Sequence, residues 1–308
     1  MAKLGNSDLD VFGLNLGGNV FGWTADQDQS FAVLDAYAAA GGNFVDTADV
    51  YSAFSPGNTG GESETIIGNW LAKRGRRDEI VIATKVGNWA EHPGLSATNI
   101  AAAADDSLRR LRTDHIDLYY AHMDRAETPL EETLAAFDAL IRSGKVRYIA
   151  ASNYTAARLA EALSISDREG FARYVALQPH YNLVEREYEQ ELAPLVEREG
   201  LSTLPYFGLA KGFLTGKYRS KKAGGDSPRA EPALSYLDER GERVLAALDE
   251  VAHARGVGVA AVSLAWLAAQ PTVTAPIASA RTIEQLTELL PFVGLDLTDD
   301  ELQLLTSQ

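Results

Sequence analysis

The chain has 308 residues, 46% of them hydrophobic, a formal net charge of −15 and no cysteine. This is enough apolar material for a large core. The missing cysteines exclude disulfides, thiolate metal sites and cysteine nucleophiles, and the acidic balance speaks against binding nucleic acid or an anionic membrane. Length alone suggests two domains, but an α/β barrel commonly uses about 250 residues or more as one, and a single domain over residues 1–308 is expected. No apolar run reaches about 18 residues, so no transmembrane helix is expected. The opening MAKLGNSDLD lacks the basic-then-apolar layout of a signal peptide, and a cytoplasmic location is expected. The five histidines are scattered, without HExxH spacing, and no metal site is expected.

Along the chain, short apolar runs alternate with longer helical patterns. The first run lies near Val11 to Leu16, and Phe44-Val45 then leads to Asp46. Ile80 to Thr84 leads to Lys85, Ile116 to Ala121 to His122, and Val146 to Ala151 to Ser152-Asn153. Tyr174 to Leu177 leads to Gln178, Leu201 to Pro205 to Tyr206, and Val273 to Ala278 to Ser279. Eight near-continuous apolar runs suit parallel strands buried on both faces. Apolar helix faces lie between them, at Ile66, Ile67, Trp70 and Leu71, and at Leu159 and Leu163. The plainest helix signature is Thr128-Pro129-Leu130-Glu131, which predicts a capping box with Thr128 as cap and Pro129 in the first turn. Leu130, Leu134, Phe137 and Ile141 continue that face to a left-handed stop at Gly144. The stretch from Tyr206 to Leu237 is long and irregular. Two helical patterns follow it, Tyr236 to Arg255 and Val259 to Ala269, one more than a barrel repeat needs, and a surplus C-terminal helix opens with a box from Thr298 to Glu301.

Strands alternating with helices leave a closed barrel or an open doubly wound sheet. A dinucleotide-binding sheet needs a glycine-rich turn after its first strand, and Gly17-Gly18-Asn19-Val20 lacks that spacing. Gly256, Gly258 and Ala261 match a GxGxxA pattern, but they follow a helix and read as a turn between helices. The expected fold is therefore a (β/α)8 barrel with two extra helices and a long loop after strand 7.

In such a barrel the strand ends converge on one face, where barrel enzymes keep their active sites. That brings together Asp46, Lys85, His122, Asn153, Gln178, Tyr206 and Ser279, with Tyr51 five residues beyond Asp46. A lysine on a buried rim needs a partner or a ligand, since an unpaired buried charge is costly. Either Tyr51 or His122 could serve as a proton donor on these grounds.

Several segments carry a resemblance. Asn43-Phe44-Val45-Asp46-Thr47-Ala48-Asp49-Val50-Tyr51 resembles the aldo-keto reductase signature holding a catalytic aspartate and tyrosine. Ile82-Ala83-Thr84-Lys85 is similar to its lysine segment, and Asp117-Leu118-Tyr119-Tyr120-Ala121-His122 to its histidine segment. The likeness continues through Ser152-Asn153-Tyr154, Gln178-Pro179-His180-Tyr181-Asn182 and Leu214-Thr215-Gly216-Lys217-Tyr218. It implies an NADP-dependent enzyme that transfers hydride between cofactor and a small carbonyl or alcohol, with NAD also possible. It assigns Asp46, Tyr51, Lys85 and His122 as catalytic and gives the proton-donor role to Tyr51.

The same resemblance implies cofactor contacts. Ser152, Asn153 and Gln178 match positions that hold the nicotinamide carboxamide, and Tyr206 the residue that stacks on its ring. Phe207, Leu209, Lys211 and Gly212 occupy the pyrophosphate loop, with Phe207-Gly208 where many relatives have Ser-Pro. Ser279, Arg281 and Gln285 fall at the adenine-phosphate segment, where the family usually has Pro-Gly for Ala278-Ser279 and Asn for Leu289. The stretch after Gly216 resembles a loop that folds over the cofactor. Phe21, Trp23, Phe54, Trp89 and His92 fall on loops after early strands and could line an aromatic substrate pocket. A monomer is expected. Two competing readings are a slow-turnover redox-sensing regulatory subunit of the same fold, and a lyase or isomerase whose lysine forms a Schiff base.

Overall fold

The computed structural model describes residues 1–220 and 230–308. Eight strands form one parallel sheet: β1 (Asn15–Gly17), β2 (Phe44–Asp46), β3 (Val81–Val86), β4 (Ile116–Ala121), β5 (Val146–Ser152), β6 (Tyr174–Gln178), β7 (Ser202–Thr203) and β8 (Ile277–Ala278). The sheet order is β7-β6-β5-β4-β3-β2-β1-β8, so chain neighbours are also spatial neighbours. The sheet curls until its edges approach. Thr203 N donates to Thr272 O at 2.8 Å, Thr274 N to Thr203 O at 3.0 Å and Ile277 N to Pro205 O at 2.9 Å. The arrangement is an α/β fold consistent with a (β/α)8 barrel.

Strand alternation divides the core in two. Phe44, Ala83, Leu118, Tyr120, Ala150 and Ala176 face inward in one apolar cluster, while Val45, Ile82, Tyr119, Ile149 and Leu177 face the helices in another. Both sets are buried, which is why the strands read as continuous apolar runs rather than alternating ones.

The first predicted strand needs correction. Val11 belongs to an antiparallel hairpin, Ala2–Lys3 with Asp10–Val11, and the barrel strand starts only at Asn15. Leu4, Leu9 and Val11 join the inner cluster and plug the barrel beside the beginning of β6. The approach is close: a Cβ on Gly5, whose φ is +50°, would lie 2.2 Å from the Val175 carbonyl oxygen.

Helices α1 (Gln27–Ala39), α2 (Glu62–Arg74), α3 (Ala97–Leu111), α4 (Leu130–Arg142), α5 (Ala156–Glu169) and α6 (Tyr188–Arg198) follow β1 to β6 in turn. The predicted Thr128 cap does not form. Pro129, with ψ 138°, is the capping residue of α4 and offers no side-chain bond. Glu131 is then the second helical residue, not the third, and pairs with Arg168 at 3.2 Å. Gly144 takes the left-handed conformation expected of it, φ 77°.

Between β7 and β8 come α7 (Ala230–Leu234), α8 (Glu239–Arg255) and α9 (Val259–Ala268), and after β8 come α10 (Ile283–Leu289) and α11 (Asp299–Thr306). Gly256 and Gly258 form the turn between α8 and α9, as expected. The box from Thr298 to Glu301 starts α11 with both of its bonds in place. Residues 221–229 of the irregular stretch after Gly216 lie outside the described residues. Among the described residues, no single helix is long and apolar enough to cross a membrane.

Candidate active site

Asp46 ends β2 and Lys85 lies in β3, both facing the barrel interior at the strands' C-terminal ends. Lys85 is wholly buried and Asp46 is 1% exposed. The Lys85 ammonium donates to Asp46 Oδ2 at 2.6 Å, to the Thr47 carbonyl at 2.7 Å and to the Tyr51 hydroxyl at 2.9 Å. Three acceptors match its three protons. Burial lowers the Lys85 pKa below the ordinary lysine value, opposed chiefly by the Asp46 carboxylate. Removing two charges from water costs much of what their attraction returns, so this pair is weak evidence of stability.

The loop after β2 carries Tyr51 to the pair. Its hydroxyl donates to Asp46 Oδ2 at 3.2 Å, and its ring lies 4.6 Å from Lys85 Nζ. The next residue fixes the loop: Ser52, at φ 73°, is buried and donates its hydroxyl to the Phe21 carbonyl at 2.7 Å. His122 follows β4, its ring 6.2 Å from that of Tyr51. Burial, with Lys85 and Arg125 nearby, pushes its pKa down to about 3. It is therefore a neutral imidazole at working pH, and its buried Nδ1 has no partner among the described residues. The four residues named from sequence thus converge.

Ser152 and Asn153 follow at the end of β5, and Gln178 at the end of β6. Ser152 Oγ donates to the Gln178 carbonyl at 3.0 Å, and Gln178 Nε2 donates to Asp46 Oδ1 at 2.9 Å. Asn153 adopts φ 56° and donates through Nδ2 to the His122 carbonyl at 2.9 Å. Its Oδ1 accepts from the Tyr206 hydroxyl at 2.8 Å, and the Tyr206 ring stacks on His180 with 5.2 Å between centroids. His180 lies in the segment from Gln178 to Asn182 without being among the residues expected at the site.

After β7 the backbone turns left-handed at Phe207, Ala210, Lys211 and Gly212. Buried Asn182 braces this loop by donating to the Phe207 carbonyl at 2.9 Å. Lys211 Nζ lies 5.8 Å from the Phe207 ring centroid. After β8, the Ser279 hydroxyl donates to Asn19 Oδ1 at 2.6 Å. Gln285 Oε1 accepts from the Arg281 backbone amide at 2.9 Å. Leu289 is buried in the outer core.

The aromatic residues expected to line a pocket divide. Phe21 is wholly buried in the core and has no face for a ligand, because its loop folds under the Tyr51 loop. Exposed Phe54 meets half-buried Trp23 edge to face at 4.8 Å. Trp89 donates to the Thr59 carbonyl at 2.9 Å, lies 5.3 Å from Arg110 and 5.1 Å from His92.

A sequence model of the aldo/keto reductase family matches residues 13–308. The chain belongs to the aldo/keto reductase family. Protein Tas of Escherichia coli is 33% identical, over 97% of this chain and 94% of Tas. The Bacillus subtilis protein named as the uncharacterized oxidoreductase YrpG is 35% identical, over 98% and 93%. A probable voltage-gated potassium channel subunit beta of rice is 34% identical, over 93% and 88%. Aldo/keto reductases are oxidoreductases that generally use a nicotinamide cofactor.

The residues at the strand ends fit such a group. The left-handed turns after β7 leave the Gly208 and Leu209 amides without acceptors among the described residues, which is how backbone cradles an anion. The Arg281 guanidinium has no hydrogen bond or ion pair among them either. Gly208 sits where a Cβ would press within 3.2 Å of Leu264 and Leu267, so the loop packs close to the barrel wall.

Proposed function

We propose that this aldo/keto reductase interconverts aldehydes or ketones with alcohols, with NADP(H) as the preferred cofactor and Tyr51 as the proton donor and acceptor. The observation that carries the reading is the Lys85 ammonium bonded at once to Asp46 and to the Tyr51 hydroxyl, 2.6 and 2.9 Å away.

A nicotinamide cofactor bound beside this cluster supplies the hydride. As a carbonyl is reduced, negative charge grows on its oxygen, and a positioned donor must meet it. Tyr51 hands its hydroxyl proton to that oxygen. The remaining phenolate is held by Lys85, whose charge favours it. A free phenol, with a pKa near 10, would otherwise be a poor acid at neutral pH. His122 cannot take this part, since a neutral imidazole is far too weak an acid; it orients the carbonyl by a hydrogen bond. In the oxidative direction Tyr51 takes the alcohol proton back.

Ser152, Asn153 and Gln178 would hold the carboxamide, and Tyr206 would offer its ring to the nicotinamide. Phe207, Leu209, Lys211 and Gly212 receive the pyrophosphate, and Ser279, Arg281 and Gln285 the adenine end. Trp23, Phe54 and Trp89 border the substrate entrance, and the whole chain acts as one barrel domain to which α8 and α11 are additions. A monomer working in the cytoplasm is sufficient for this chemistry.

The rice relative, named as a probable potassium channel subunit beta, is weakly compatible with a second reading, a slow-turnover redox-sensing subunit of the same fold. The Schiff-base reading loses ground because a lysine with three acceptors is held as an ammonium rather than a nucleophilic amine. Turnover of a panel of aldehydes, ketones and alcohols with NADPH and NADP+ tests the proposal. Tyr51→Phe should cut reduction about 100-fold or more, as removal of a positioned acid does, while cofactor affinity barely moves. Near-normal turnover in that variant would remove Tyr51 from the mechanism. Negligible turnover by the native protein with every carbonyl would favour the sensor.

A further inference from the structure

Asp49 lies three residues past Asp46, and its backbone amide donates to the Lys85 carbonyl at 3.3 Å. Its side chain is completely buried, and neither carboxyl oxygen completes a hydrogen bond among the described residues. The other two buried acids beside it are fully met. Asp46 receives Lys85, Tyr51 and Gln178. Glu64 of α2 receives Thr84 Oγ1 at 2.6 Å and Arg110 Nε of α3 at 2.6 Å.

Four groups act on Asp49 through space: Glu64 from α2, Arg110 from α3, Lys85 from β3 and Tyr119 from β4. Without Asp49 the charges already balance, Asp46 against Lys85 and Glu64 against Arg110. A third carboxylate would be a dry, unmatched charge, which proteins avoid by holding the proton. Burial and the Glu64 carboxylate push the Asp49 pKa up to about 8, against weaker pulls from the Val50 amide, Arg110 and Lys85.

We propose that Asp49 is a positioning residue for the proton donor: as an uncharged acid it adds no second carboxylate to the one, Asp46, that already draws on Lys85, and on ionising it takes a further share of the Lys85 field from Tyr51. This rests on Tyr51 being the proton donor and acceptor. Its consequence is directional. Carbonyl reduction needs Tyr51 with its proton, and alcohol oxidation needs Tyr51 without it. When Asp49 gives its proton to bulk water at alkaline pH, the new negative charge holds the proton on Tyr51. Oxidation is thereby restrained and reduction spared.

The direct test is the ultraviolet titration of tyrosinate in the cofactor-free protein. The share of Tyr51 is isolated by subtracting Tyr51→Phe, in the native background and again in Asp49→Asn. The Tyr51 midpoint should fall by roughly one pH unit in Asp49→Asn, the size expected for a unit charge removed nearby in a partly screened interior. Asp49→Ser, which removes the carboxyl without adding an amide, should give the same displacement and serves if the first variant folds poorly. Alcohol oxidation by either variant should keep rising above about pH 8, where the native rate should level off, with the cofactor KM unchanged. An identical Tyr51 midpoint in native and variant proteins overturns the proposal, and so does a shift seen with Asn but not with Ser. Because the titration needs no turnover, a protein inactive on every carbonyl could still show the shift; that outcome would count against the enzymatic reading and for the role of Asp49.

Discussion

Gln178 Nε2 donates to Asp46 Oδ1 at 2.9 Å across 132 residues of sequence. With Lys85 and Tyr51 on Oδ2, this leaves neither oxygen of the buried carboxylate without a donor. The bond joins a residue expected to hold the cofactor to the carboxylate that accepts from Lys85. Gln178→Leu removes it at similar volume. A hydrogen bond to a charged group contributes about 1.5–3 kcal/mol, so kcat should fall roughly 10-fold or more, alongside a higher cofactor KM. Steady-state kinetics in both directions check this, and a change in KM alone would limit Gln178 to cofactor binding.

Lys85→Met keeps the apolar stem and removes the ammonium. Reduction should collapse, and the apparent pKa of whatever activity remains should move upward, because Tyr51 loses the charge that favours its ionised form. A pH–rate profile with unchanged inflections and a modest loss of rate would leave Lys85 a structural role only.

Arg281 follows β8, and barrels commonly hold phosphate at the loops after strands 7 and 8. Its guanidinium is uncommitted among the described residues, while the chain as a whole carries a net charge of −15. A 2′-phosphate therefore needs a local cation, and arginine can grip it through several donors. Arg281→Ala should weaken NADPH binding by about 1.5–3 kcal/mol and NADH binding much less. Equal weakening of both, read by fluorescence titration, would place Arg281 on the adenine instead.

Asp49 also makes stability depend on pH. Its folded pKa, about 8, stands above the ordinary value of 3.8. The folded protein therefore binds a proton that the unfolded chain has released, and the stability this group contributes is lost as pH rises from near 4 through 8. Asp49→Asn lacks the effect. The stability difference between variant and native protein should move in the variant's favour across that window, by on the order of a few kcal/mol at about 1.4 kcal/mol per pKa unit. Urea unfolding at pH 5 and pH 8.5 measures it, and a constant difference would mean that Asp49 is not buried with its proton.

Apart from the first strand, strand identity and the convergence of Asp46, Lys85 and His122 were legible in the sequence, because both depend on local pattern. A strand buried on both faces is apolar at every position until the chain leaves the core. The first polar residue after each run thus marks the rim, and parallel strands bring the rims together. Phe21 read as well as Trp23 for a pocket, yet only the folding of one loop beneath another decided that it lies in the core. The Thr128 box failed because the helix begins one residue later, with Pro129 as its cap, which puts Glu131 at the second helical position and not the third. The plug formed by Ala2–Lys3 and Asp10–Val11 carried no alternation long enough to recognise. Nothing in the local sequence marks Asp49, and its state follows from which donors the tertiary structure gave to its neighbours and withheld from it. Local sequence determines which residues must be buried. Which polar groups are satisfied depends on pairings between distant segments, and the free energy of each pairing exists only once both are in place.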